Sequence, residues 1–233
     1  MGVSEVLKVL DRSLKLVIRR PELFLPKFIS RSAGAIWFLL ALENRSSPLI
    51  YLLTLPFVIG LGFYSSVAVA EMVRSKKSGK KLIFHVSRLL VRKTPRIGFI
   101  TVFLTFFVVI SSLPASTGFF LYITEGSIVF AGIGVFITIL TGSLATLFLY
   151  FLPVTATEEA SGLRALKEAK SFSLSNLSDT ASLTLISLLM AAVALMVSTE
   201  FRTLGYAGFI AARMLSGVVS TYIFVVGPEY YYD

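Results

Sequence analysis

The chain has 233 residues, of which 55% are hydrophobic and only 15% are charged. Soluble domains carry roughly 25% charged residues, so this composition excludes an ordinary soluble protein and predicts an integral membrane protein. The formal net charge is +9. Because no basic face is separable from the flanks of apolar stretches, we expect no nucleic acid among the partners and attribute the charge to the cytoplasmic excess of Lys and Arg.

Six apolar stretches are long enough to cross a bilayer, whose hydrocarbon core needs roughly 20 helical residues. Runs of this length without period-two alternation favour helices over barrel strands. We therefore predict an all-α integral membrane protein, one domain over residues 1–233, built from three helical hairpins. The six predicted transmembrane helices are residues 23–42, 48–70, 97–114, 128–152, 180–198 and 204–227.

An amphipathic helix is predicted before the first span. Its cations are spaced by four, three and four residues, which places them on one helical stripe opposite apolar side chains. Such a helix suits the cytoplasmic interface, where the cations contact anionic lipid headgroups. Pro21 then fits a sharp turn into the first span. The stripe consists of Lys8, Arg12, Lys15 and Arg19.

The second span follows a predicted turn at residues 43–48 and contains Pro56, Gly60 and Gly62. Proline inside a helix removes one backbone hydrogen bond, and nearby glycines ease a bend. The combination predicts either a hinge or a static packing kink, and the sequence leaves both interpretations open.

The same cation spacing returns before the third span, in Lys81, His85, Arg88 and Arg92. We expect a second interfacial helix here, with Lys81, Arg88 and Arg92 as anionic-lipid contacts and with Pro95 marking a sharp turn. His85 is the only histidine and cysteine is absent, so the usual zinc sites cannot form, and we expect neither a metal nor a cofactor.

A third amphipathic helix, about residues 161–172, precedes the fifth span. The chain thus divides into three units, each consisting of a cytoplasmic interfacial helix followed by a hairpin. Nearly all the lysines and arginines fall in these basic segments, whereas the opposite connections contain only Arg45 and Arg202. This asymmetry predicts a multi-pass protein of the cell membrane with both termini in the cytoplasm.

Arg213 is the exception to this charge pattern, because it lies inside the sixth span. Counted from residue 204, it is roughly 13 Å deep at 1.5 Å per residue. A charge near the bilayer centre costs at least about 2.5 kcal/mol, and no Asp or Glu lies inside a predicted span. One interpretation is a cation that binds an anionic headgroup or substrate. The other is that the span begins later, or that the side chain extends to the interface.

The sixth span also repeats a small residue at every fourth position. Small residues at this spacing allow two helix backbones to approach closely, within the bundle or against a second copy of the chain. A pore lining is the alternative interpretation. The residues are Gly208, Ala212, Ser216 and Ser220.

No catalytic constellation is recognisable. The spans contain Ser and Thr but no base to activate them and no paired acids, so we expect that the protein is not an enzyme.

Two segments resemble a loose group of uncharacterised multi-span membrane families, which includes the membrane domain ahead of some bacterial glycerophosphodiester phosphodiesterases. The first is Glu158–Ser171 with Asn176, in which an acidic turn and a glycine precede an Ala-Leu-Lys helix. The second is Leu16–Pro26, a basic helix that runs into Pro-Glu-Leu-Phe-Leu-Pro. The resemblance implies a compact six-span bundle with a transport-related or lipid-related role. It transfers no activity, since the soluble catalytic domain is absent from this chain.

We therefore expect a non-catalytic membrane protein that handles or transports a lipid, small amphiphile or solute. Its expected partners are membrane lipids, especially those with anionic headgroups. The alternative is a membrane scaffold or a subunit of a larger complex, either as a homo-oligomer or with a partner subunit. Transport predicts a cavity reached by Arg213 and the glycines of the second span, whereas a scaffold predicts a tightly packed bundle.

Overall fold

A computed structural model describes residues 3–43, 48–75, 77–126, 128–159, 161–202 and 205–233. These residues form helices and no strands, which confirms the all-α prediction. A short 3-10 helix, Pro21–Phe24, separates the first two α-helices. The α-helices are α1 Val3–Arg19, α2 Leu25–Glu43, α3 Pro48–Arg74, α4 Gly79–Glu125, α5 Ile128–Leu149, α6 Leu152–Glu158, α7 Gly162–Ser175, α8 Leu177–Arg202 and α9 Gly205–Tyr231.

Five segments among the described residues are long and apolar enough to cross a membrane. The segment α2 corresponds to the first predicted span but is not one of the five, and it contains Lys27 and Arg31 in its first two turns. The turn predicted at residues 43–48 includes residues 44–47, which lie outside the described residues. The five segments are Thr54–Arg74, Gly79–Glu125, Ile128–Glu158, Leu177–Phe201 and Gly208–Tyr231.

The predicted sharp turn at Pro95 is wrong, because α4 continues through this residue without a break. Proline removes a single backbone hydrogen bond, here the one to the carbonyl of Val91, and a helix can continue past this loss. Nearby, Thr94 Oγ1 donates to the carbonyl of Leu90 at 3.1 Å within α4, and Arg96 donates to the carbonyl of Ala156 on α6 at 3.0 Å. The second amphipathic segment is therefore the first part of a 47-residue helix, whose path of about 70 Å exceeds the bilayer core.

The third predicted span ends at residue 114, but the helix continues beyond it, since α4 extends through Pro114 to Glu125. Close packing against α5 supports this extension. A Cβ added to Gly118 would lie 2.4 Å from the carbonyl oxygen of Phe130, and one added to Gly134 would lie 2.3 Å from that of Pro114. The two backbones touch where glycine alone fits. The helix stops at Gly126, which adopts a left-handed conformation with φ 71°.

The apolar side of α1 is divided between protein and surroundings. Val6, Val9 and Val17 are buried against the rest of the bundle, while Leu7 and Ile18 are exposed beside the basic stripe. The apolar side of α1, which the sequence pattern places in the acyl region of the bilayer, therefore packs in part against the protein. The helix has a buried face, an exposed apolar face and a basic face, because α9 packs along it.

The basic segments meet at one end of the bundle. Arg20 donates to the carbonyls of Ser75 and Lys77 at 3.2 and 2.7 Å, which joins the first segment to the second. Arg74 forms an ion pair with Glu158 at 3.0 Å, which brings the third segment to the same place. We call this region, around Arg20, Arg74 and Glu158, the basic end. The helices α2, α3 and α9 run from it and pack against one another.

Residues of the Glu158–Ser171 segment, together with Asn176, have local structural roles. Ser161 Oγ accepts a hydrogen bond from the backbone N–H of Arg164 at 3.3 Å and caps the start of α7. A Cβ on Gly162 would lie 2.5 Å from Cδ1 of Phe99, so glycine permits α7 to approach α4. Asn176 ends α7, and its side-chain amide donates to the carbonyl of Phe172 at 3.1 Å.

Candidate anion site in a central cavity

A cavity of about 870 Å³ lies among α2, α3, α4, α5 and α9. Its volume is within the roughly 300–1,000 Å³ of ligand pockets. Most of the lining is apolar, with several small hydroxyl side chains. Among the described residues the lining includes three cations, Lys27, Arg31 and Arg213, and neither Asp nor Glu.

Lys27 is the most deeply buried of these cations, with 4% of its surface exposed. Its Nζ donates to Ser66 Oγ at 2.5 Å and lies 3.5 Å from the centre of the Phe224 ring. The carbonyl oxygen of Gly62 is 3.5 Å away. The partners that surround this ammonium are thus neutral dipoles and a π face, which orient it but leave its net charge uncompensated.

Arg31 lies one turn further along α2, on the same face as Lys27. Its Nη2 donates to Ser220 Oγ on α9 at 2.6 Å. The guanidinium has five N–H donors and this bond occupies one of them. Arg31 is exposed to the cavity, so it can present further donors to a ligand.

Arg213 is half-buried and lines the same cavity from α9. Its Cζ lies 5.1 Å from the centre of the Phe209 ring, within the range of a cation–π contact. Arg213 shares one stripe of α9 with Ser220 and Phe224, which contact Arg31 and Lys27. The three cations therefore follow the seam between α2 and α9, from Lys27 near the basic end to Arg213 deeper in the bundle.

The electrostatic consequence is a positive potential inside an apolar cavity. Removing a cation from water is expensive unless an anion accompanies it. Ion pairs such as Arg74–Glu158 and Lys93–Glu71 form elsewhere among the described residues, and those that the structure shows there include neither Lys27 nor Arg31. A bound anion would compensate the charges of Lys27 and Arg31.

The small-residue stripe of α9 lies partly on a second, smaller cavity. Ala212, Ser216 and Ser220 line that cavity, and Gly208 is buried. The hydroxyl of Ser198 on α8 donates to the carbonyl of Ala212 at 3.4 Å, which joins α8 to α9. The stripe thus combines a helix contact with a cavity wall. Its predicted role in packing against a second copy stays a prediction.

The seven cations predicted to contact anionic lipids are all exposed, as a group on α1 and a group at the start of α4. Two of the cations on α1 already form an ion pair with a carboxylate. Lys15 pairs with Asp11 at 2.6 Å, and Arg12 hydrogen-bonds both carboxylate oxygens of Asp233, which lowers the pKa of Asp233. The lipid contacts of all seven stay predictions. The residues are Lys8, Arg12, Lys15, Arg19, Lys81, Arg88 and Arg92.

Sequence reasoning identified Arg213 but missed Lys27 and Arg31, which it counted among the flanking charges of the first span. A sufficient signal is present in the sequence. Both residues lie inside the predicted span 23–42, four residues apart, and therefore on one helical face. Charges inside an apolar helix mark a candidate site by default, and this rule applies to Lys27 and Arg31 as it does to Arg213.

The chain matches no protein-family model, and neither a curated protein nor a solved structure shows significant similarity to it.

Proposed function

We propose that this protein is a non-catalytic, six-span membrane protein that binds an anionic lipid or amphiphile in its central cavity and handles or transports it. The observation that carries this proposal is the presence of Lys27, Arg31 and Arg213 in one apolar cavity whose described lining has no carboxylate. An apolar lining with a few convergent charges suits a ligand that has a charged headgroup and a hydrocarbon portion.

The first predicted span, α2, belongs to this proposal. Lys27 and Arg31 lower its hydropathy, yet both side chains turn towards the cavity. Charged residues in membrane helices generally face a bundle interior or a cavity instead of lipid. With α2 as a span, the chain has three hairpins, which would be α2–α3, α4–α5 and α8–α9. Contacts within each of these pairs support the arrangement.

We assign the basic end to the cytoplasm, following the positive-inside rule. The exposed cations of α1 and of the start of α4 would attract anionic lipid there, at about 1 kcal/mol per Lys or Arg near the surface. Lys27 is the cavity cation nearest that end. An anionic headgroup would therefore enter from the cytoplasmic leaflet, contact Lys27 first and then reach the two arginines.

The alternative function is a membrane scaffold or a subunit of a larger complex. The backbone contact between α4 and α5 at Gly118 and Gly134 favours this alternative, because it makes a rigid paired helix. The central cavity favours ligand handling, since a scaffold has no need for three cations in an apolar space.

Retention of lipid by the purified protein tests the proposal. The protein would be exchanged into nanodiscs that contain equal amounts of phosphatidylglycerol and phosphatidylcholine, and the lipids that remain bound after detergent extraction would be identified by native mass spectrometry. We expect enrichment of phosphatidylglycerol, lost in Arg213→Ala and in Lys27→Met/Arg31→Met/Arg213→Met. Equal retention of the two lipids, or unchanged enrichment in the triple variant, would overturn the proposal.

The matched control is Arg164→Met/Lys167→Met/Lys170→Met, which removes the same number of exposed charges from α7 and leaves the cavity intact. It should keep the enrichment. A flux assay in liposomes separates transport from binding alone. If phosphatidylglycerol binds but crosses the bilayer no faster than in protein-free liposomes, handling without transport or the scaffold alternative is favoured.

A further inference from the structure

We infer that the ligand is a two-chain anionic phospholipid whose phosphate lies between Arg31 and Arg213, with one acyl chain in each of two adjoining cavities. This inference rests on the proposed function and specifies its ligand class. It starts from the second cavity, which has a volume of about 410 Å³ and lies mainly between α8 and α9.

The two cavities share a wall. Arg31, Arg213 and Phe224 line both of them, together with Thr146, Ser187 and Ile223. The shared wall thus contains two guanidinium groups and two hydroxyl groups. Away from the wall both described linings are largely apolar, with Lys27 as the further cation of the larger cavity. A ligand that matches this distribution of charged and apolar lining has its charge at a branch point and an apolar chain on either side.

A glycerophospholipid has this distribution of charge. Its phosphate lies close to the carbons at which the two acyl chains diverge, and guanidinium groups bind phosphate oxygens through paired, charge-assisted hydrogen bonds. Ser220 already fixes one donor of Arg31 in the shared wall. The remaining donors of Arg31 on α2 can then contact the phosphate, and the Arg213 guanidinium on α9 lies on the same wall.

An acyl chain also has a route from the bilayer into the smaller cavity. Its lining includes Leu188 and Leu195 on α8, which are 38% and 62% exposed. These residues form the outer rim, whereas Ala194 and Ala212 are buried deeper on the facing sides of α8 and α9. A chain could therefore pass laterally between α8 and α9 from the bilayer, while the other chain occupies the larger cavity.

Three probes that share a phosphate test this inference by their number of chains: dioleoyl phosphatidic acid, oleoyl lysophosphatidic acid and glycerol 3-phosphate. Affinities would be measured for the full chain in detergent by native mass spectrometry. We expect the two-chain lipid to bind at least tenfold more tightly than the one-chain lipid, because the latter leaves one cavity unfilled. We expect glycerol 3-phosphate to bind more weakly than either lipid.

Substitutions that fill the smaller cavity test the same inference by changing the protein instead of the ligand. Ala194→Phe should lower the affinity for the two-chain lipid about tenfold and leave the one-chain affinity unchanged. The control is Ala192→Phe, the same substitution at an exposed position of α8 outside both linings, which should alter neither. Ala145→Phe, which narrows only the larger cavity, should weaken both lipids. Size-exclusion chromatography establishes folding, and Val219→Phe replaces Ala194→Phe if that variant does not fold.

Equal affinities for the two lipids would overturn the two-chain inference, as would equal weakening of both by Ala194→Phe. Binding of glycerol 3-phosphate as tight as that of the lipids would show a site for a soluble anion. These outcomes differ from failure of the proposed function, in which none of the three probes binds and the triple cation variant behaves like the unaltered protein.

Discussion

Arg31 on α2 and Ser220 on α9 are joined by a hydrogen bond of 2.6 Å between Nη2 and Oγ. Ser220 is buried, whereas Arg31 is exposed to the cavity. The serine therefore fixes the orientation of the guanidinium without neutralising it. Arg31 thus supplies the charge, and Ser220, which is distant in the sequence, determines where that charge lies.

These different roles predict different losses of lipid affinity when each side chain is replaced. Arg31→Met should weaken binding of phosphatidic acid at least tenfold, because a hydrogen bond to a charged group is worth about 1.5–3 kcal/mol and tenfold corresponds to about 1.4 kcal/mol. Ser220→Ala should weaken it by less than about threefold, since Arg31 keeps its charge and gains a free donor. Titration of each variant with the lipid measures both effects. Equal losses in the two variants would contradict a positioning role for Ser220.

Lys27 is expected to lower the stability of the ligand-free protein. A buried cation whose partners are neutral is often replaced by an apolar residue of similar size at no cost or with a gain in stability. Lys27→Met should therefore leave the melting temperature in detergent unchanged or raise it. The same variant should lose much of the increase in melting temperature that phosphatidic acid causes in the unaltered protein. Thermal unfolding with and without the lipid measures both quantities.

The matched control for Lys27 is Lys167, an exposed lysine of α7 outside both cavities. Lys167→Met removes the same charge and should change neither the melting temperature nor the rise in melting temperature that the lipid causes. A marked loss of stability in Lys27→Met would mean that the ammonium holds α2 against α3 and α9, and would favour a structural role.

The sequence predicted helices and their approximate order well, because long apolar runs have few alternatives in a bilayer. It predicted poorly where the helices are interrupted. The pattern predicts a sharp turn at Pro95 and a span that ends near residue 114, but a helix tolerates the missing hydrogen bond of a proline where tertiary contacts hold both sides. Those contacts, such as Gly118 on the backbone of Phe130, join distant parts of the chain and leave no local signature.

The candidate site was predictable only in part, for a related reason. Arg213 is conspicuous because its neighbours along the chain are apolar. Lys27 and Arg31 follow a basic segment and were counted with it. Their convergence with Arg213 depends on how α2 packs against α9, and hydropathy contains no information about that packing.

A double-mutant cycle should show strong coupling between Glu71 and Lys93. Their ion pair joins α3 to α4, and both side chains are largely buried, with 4% and 15% exposed. Lys93 also donates to the carbonyl of Thr157 at 2.8 Å. Glu71→Gln alone should lower the free energy of unfolding by about 3 kcal/mol, because it leaves a largely buried ammonium without its anion. Glu71→Gln/Lys93→Met should cost less than the sum of the single changes.

Unfolding in mixed micelles of increasing SDS content measures these free energies. The comparison pair is Lys15–Asp11, which is exposed and should contribute no more than about 0.5 kcal/mol. Strict additivity of the two changes at Glu71 and Lys93 would contradict the coupling and would leave the α3–α4 contact to apolar packing.

Two glycines of α5 provide a matched test of the α4–α5 contact. A Cβ at Gly134 would lie 2.3 Å from the carbonyl oxygen of Pro114, whereas a Cβ at Gly132 would meet nothing within 4 Å. Gly134→Ala must therefore push two backbones apart and should lower the melting temperature by several degrees. Gly132→Ala should keep or slightly raise it, because alanine favours a helix over glycine by about 1 kcal/mol. Equal responses to the two substitutions would mean that α4 and α5 are not in backbone contact, and the extension of α4 beyond Pro114 would lose its support.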